Sequence, residues 1–115
     1  MNYQDPPVYR AAYELTLAIT RFVKDCDNDY KGTLGILLQQ ETLKLSVAVW
    51  HISDCEDKIK AIQEAINSCY LIRMILRLLL DISKIKIETN IALNNKLDET
   101  AKQLVGWKKA KMTNS

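Results

Sequence analysis

Glycine and proline are scarce, three and two in 115 residues, and that scarcity removes the tight turns on which a small all-β domain depends. Histidine occurs once, as His51. A multi-histidine metal site is therefore excluded. So is the E-x-x-H pair of a bundle di-iron centre, because Ala48 stands three positions before His51. The three cysteines, Cys26, Cys55 and Cys69, are odd in number and never in C-x-x-C spacing, which argues against both a disulfide framework and a zinc site. Reduced cysteines, with no apolar leader behind a basic start, place the expected location in the cytoplasm. Long apolar runs are missing too: the greasiest stretch, LIRMILRLLL at 71–80, is too short to span a bilayer and carries two arginines. Nor is there a phosphate loop, a G-x-G-x-x-G turn, a G-x-S-x-G elbow or a cysteine beside an evident base. Small helical ribonucleases of the HEPN type carry an arginine a few residues before a histidine, but Leu45 to Trp50 precede His51 here. A non-enzyme without a metal or cofactor is expected.

What is present is helical. The length suits one domain, 1–115, with its own core. The first predicted helix spans about 6–26, with Asp5 as its cap and Pro6 and Pro7 where a missing N–H costs nothing. Val8, Ala11, Ala12, Leu15, Ala18, Ile19, Phe22 and Cys26 form its apolar stripe, while Arg10, Glu14, Arg21 and Lys24 take the other side. The polar stretch DCDNDYKGTLG is a connection. Its Asp25, Asp27 and Asp29 imitate a calcium loop, but Tyr30 stands where the sharp-turn glycine belongs and Ile36 where a bidentate glutamate is needed.

The second predicted helix, about 33–52, has one face of Leu34, Leu37, Leu38, Leu45, Ala48 and Ile52 and a separate stripe of Ile36, Leu43, Val47 and Trp50. That is more apolar surface than one packed face requires. Ser53 and Glu56 form a capping-box pattern ahead of the third helix, about 55–82. At 100° per residue its apolar side chains cover about 240° of arc, with Arg73, Arg77, Asp81 and Lys84 in the remainder. Either this helix lies centrally in a bundle, or Ile72, Leu76 and Leu80 join Ile36, Leu43, Val47 and Trp50 in an interface between subunits. The fourth helix, about 86–105, is marked by Ile87, Ile91, Leu93, Leu97, Ala101 and Leu104. Gly106 then fits a left-handed stop, with Trp107 folded back over Ala101 and Lys102 and residues 107–115 as a basic tail. Four amphipathic segments with short connections predict an all-α, antiparallel up-down-up-down four-helix bundle.

Charge is divided along the chain: residues 1–57 carry five Lys/Arg against nine Asp/Glu, and residues 58–115 carry eleven against five. A basic half raises the expectation of an anionic partner. Arg73 and Arg77 are one turn apart with Lys84 further along nearly the same line, although Asp81 is placed to pair with Arg77. Lys86, Lys96, Lys102, Lys108, Lys109 and Lys111 continue the positive charge. Repetition of such weak phosphate contacts around an oligomer would add them into appreciable affinity.

The segments VYRAAYEL at 8–15, YKGTLG at 30–35, LIRMILRLLLDISKI at 71–85 and above all KQLVGWKKA at 102–110 resemble the accessory variability determinant proteins of bacterial diversity-generating retroelements. That family is related to proteins encoded by intervening sequences of ribosomal RNA genes. The resemblance implies a barrel-like homopentamer with a basic surface, which binds RNA or DNA and associates with a reverse transcriptase without being the catalyst. The alternatives are a ribosomal intervening-sequence protein with no retroelement partner and a scaffold bundle that binds only protein.

Overall fold

The computed structural model describes residues 6–26 and 31–113. Asp5, together with the Asp27, Asp29 and Tyr30 positions of the calcium-loop imitation, lies outside the described residues. Helix α1 (Pro7–Lys24) opens on Pro6 and Pro7 and buries Val8, Tyr9, Ala11, Ala12, Leu15, Ile19 and Val23, a spacing of three and four that keeps one face inward. A π-helical turn, Lys31–Gly35, leads into α2 (Ile36–His51), whose buried face is narrow: Leu38, Thr42, Leu45 and Val49. The Thr42 hydroxyl satisfies itself on the Leu38 carbonyl at 2.7 Å.

A 3₁₀ turn at Ile52–Asp54 buries Ile52 and leaves Cys55 extended. The capping box expected at Ser53 and Glu56 is thereby displaced. Ser53 is consumed by the turn, α3 begins later (Lys58–Asp81), and the side chain that accepts a free first-turn N–H is Asp57, from Lys60 at 3.0 Å. Helix α3 turns Ile62, Ala65, Ile66, Cys69, Ile72, Ile75, Leu76 and Leu79 inward. It stops at Ser83, the one non-glycine residue with positive φ (60°) among the described residues. The Ser83 N–H donates to the Leu80 carbonyl at 3.0 Å and the Lys84 N–H to the Leu79 carbonyl at 2.8 Å, the paired bonds of a left-handed helix end.

Helix α4 (Ile87–Thr113) buries Asn90, Leu93, Leu97, Thr100 and Leu104 and does not end where expected. Among the described residues no glycine has positive φ. Gly106 is an ordinary helical residue, and residues 107–113 are helix rather than a basic tail. Packing explains the continuation: Trp107 lies partly buried against the core, and Lys108 Nζ donates to Gln63 Oε1 at 2.6 Å, tying the end of α4 to the start of α3. These contacts outweigh a helical glycine's penalty of about 1 kcal/mol.

Helices adjacent in the chain pack together, and α4 packs back on α1, so the four enclose one core. Thr16 meets Ser46 and Thr20 meets Gln39, so α1 and α2 run in opposite directions. Arg73 meets Asp98 and Gln63 meets Lys108, so α3 and α4 do the same. The bundle measures 47 × 27 × 22 Å. Among the described residues twelve large side chains, Leu15, Leu45 and Leu97 included, are essentially inaccessible. Each contributes about 1.5–3 kcal/mol by leaving water.

Candidate nucleic-acid interface

The arginines of α3 are held by carboxylates. Arg73 Nη2 lies 2.7 Å from Asp98 Oδ1 and its Nη1 donates to Asn94 Oδ1 at 3.3 Å. Asn94 in turn donates to Asn90 Oδ1 at 3.0 Å, and the Asn90 amide donates to the Leu76 carbonyl at 3.0 Å. A polar ladder thus fixes α3 against α4, with every rung satisfied. Arg77 Nε donates to both carboxylate oxygens of Asp81, at 3.0 and 3.1 Å, which is the pairing that their spacing predicts. Asp98 was invisible as a partner because it reaches Arg73 from a different helix. With both guanidinium charges matched, the α3 pair carries little net field of its own.

The lysines do not form one stripe. Lys84, Lys86 and Lys96 line a groove beside α1. Lys102 and Lys109 are exposed on another side of α4, since six residues at 100° each rotate Lys102 about 120° away from Lys96. Lys108 is committed to Gln63, and Lys111 is half-buried. The structure therefore brings together Lys84, Lys86 and Lys96 and separates them from Arg73, Arg77 and the remaining lysines.

Of the expected interface positions, Ile36, Leu43, Val47 and Trp50 are indeed exposed, at 45%, 48%, 56% and 45%. They follow each other at seven, four and three residues on one side of α2, opposite its buried face, a seam of coiled-coil spacing. Trp50 is steadied by stacking on Tyr9, ring centroids 4.8 Å apart at 28°. Ile72 and Leu76 correct the expectation. Both are fully buried in the monomer's own core, and Leu80 packs partly buried against it. The broad apolar arc of α3 is two faces run together: the inward one that holds Ile72 and Leu76, and an outward one of Tyr70, Leu71, Met74 and Leu78.

His51 lies on the surface, its Nδ1 3.8 Å from Asp54 Oδ2. Burial pushes the Cys69 thiol up to about 12, with Arg73 opposing the shift. Among the described residues no three His, Cys, Asp or Glu side chains gather as metal ligands, and no helix is long and apolar enough to cross a membrane. No protein-family model matches the chain, and a search of curated proteins finds no match.

Proposed function

We propose that this chain is a non-catalytic nucleic-acid-binding bundle that works as a homo-oligomer. The observation that carries the reading is the set of exposed lysines on and just before α4, Lys86, Lys96, Lys102 and Lys109, which form no ion pair among the described residues. Cations held out in this way serve phosphate groups through counterion release rather than base reading. The apolar seam on α2 supports self-association, which multiplies each weak contact. The up-down-up-down order belongs to the same reading, supported by the opposed α1/α2 and α3/α4 pairs.

The resemblance carried by KQLVGWKKA extends the proposal: a cytoplasmic homopentameric accessory protein of a diversity-generating retroelement, bound to a reverse transcriptase and its template RNA or cDNA. Two measurements test it. Light scattering after size exclusion is expected to give an oligomer. Titration of labelled RNA and DNA is expected to give affinity that falls linearly on logarithmic axes as salt rises. A monomer with no affinity at low salt would overturn the reading.

The α2 seam also favours a second reading, a scaffold that docks only protein. Under it, charge reversal at Lys86 and Lys96 leaves partner binding intact, whereas Val47→Glu abolishes it.

A further inference from the structure

We propose that the groove between the end of α1 and the start of α4 seats the phosphodiester backbone, with Arg21, Lys86 and Lys96 as its phosphate contacts. This rests on the nucleic-acid reading above and moves the contact surface away from the α3 arginines. The groove has a volume of about 770 Å³ and takes Arg21 from α1, Lys84 and Lys86 from the connection before α4, and Lys96 from α4. Its carboxylates are Asp25 and Glu88.

Availability of charge separates this groove from α3. Among the described residues, the side chains of Arg21, Lys86 and Lys96 have neither an ion pair nor a hydrogen bond, whereas Arg73 and Arg77 each hold a carboxylate. An incoming phosphate meets three uncommitted donors at the groove and must compete with Asp98 or Asp81 on α3. Arg21 comes from the acidic half of the chain, so only the folded bundle adds it to the lysines.

The helix dipole accounts for Arg21 but not for Lys86. The last turn of α1 favours a cation at Arg21 through the helix dipole, and the first turn of α4 favours an anion at Glu88. Lys86 is at the wrong end: it immediately precedes the positive terminus of a 27-residue helix. A cation placed there against the dipole is explained by what it binds.

The test uses the full chain, a short fluorescein-labelled single-stranded RNA and the DNA of the same sequence. R21Q/K86Q/K96Q is compared with R10Q/K44Q/K60Q, which removes the same charge from exposed positions outside the groove. The groove variant is expected to lose at least about tenfold in affinity. It should also reduce the slope of log affinity against log salt by about two, since each single-strand phosphate contact contributes about 0.7. The control is expected to change affinity less than about threefold. K86E adds a second signature: a melting temperature that holds or rises while affinity falls.

Lysine acetylation of the unmutated chain provides a readout independent of substitution, with Lys86 and Lys96 expected to be shielded by bound oligonucleotide and Lys60 not. Wild-type protein that binds, with equal losses in the two triple variants or no shielding at Lys86, overturns the groove and leaves the nucleic-acid reading standing. Wild-type protein that does not bind at low salt sinks that reading itself. Poly-glutamate that competes as well as the oligonucleotide would assign the groove to an acidic protein instead.

Discussion

Gly106 and Ser83 exchange the roles that their residue types advertise. The glycine is helical, exposed, and would meet nothing within 4 Å if given a Cβ. The serine takes the left-handed conformation that ends α3. Gly106→Ala should therefore stabilise the protein by about 1 kcal/mol, and Ser83→Gly by about 1 kcal/mol through relief of the left-handed penalty. Chemical denaturation checks both; a Gly106→Ala loss would restore the glycine to a helix end. Cys69 yields a pH prediction. Its thiol ionises near 9 when unfolded and near 12 when folded, so above 9 the unfolded chain gives up its proton and the native state does not. The stabilising contribution is whole below about 9 and is lost as pH rises towards 12. Cys69→Ala should flatten that part of the stability profile, and Cys69 should react with thiol reagents more slowly than the half-buried Cys26 and Cys55.

Among the elements, α2 and α3 each present two apolar faces, and substitutions should sort them. Ile72→Ala removes a fully buried side chain and should cost about 2–5 kcal/mol. Val47→Ala, more than half exposed, should leave unfolding of the dilute monomer within about 0.5 kcal/mol. Val47→Glu should instead shift the light-scattering mass towards the monomer; an unchanged mass would remove the α2 seam from the interface. Between α3 and α4 the ladder from Leu76 through Asn90 and Asn94 to Arg73 and Asp98 sets register. Its outer ion pair is too exposed to contribute more than about 1 kcal/mol. Asn90→Leu removes the amide that donates to the Leu76 carbonyl and the Oδ1 that accepts from Asn94, and should be the costlier change, by about 1–3 kcal/mol.

For the molecule as a whole, the division of charge along the chain becomes a division of surface. The α3 arginines are neutralised, while among the described residues Arg21 of α1 and Lys86 and Lys96 on and just before α4 hold no carboxylate and converge at one groove. Affinity for nucleic acid, if carried there, should track the charge of the groove and the number of copies assembled. Dilution below the association threshold should then weaken binding together with the scattering mass, an outcome that a concentration series measures directly.

Four helices, the approximate spans of the first three and the double-faced α2 were legible from periodicity, because which residues share a helix face depends on spacing alone. The Arg77–Asp81 pair was legible for the same reason. Local signals misled at Gly106, where packing of Trp107 and the Lys108–Gln63 bond carried the helix onward, and at Ser53, which a 3₁₀ turn absorbed. Whether Ile72 and Leu76 faced a partner or their own core, whether Arg73 was free, and whether Arg21 stood beside Lys86 and Lys96 had no local determinant. Each depends on which helix lies opposite, and only the closed ring of four decides that.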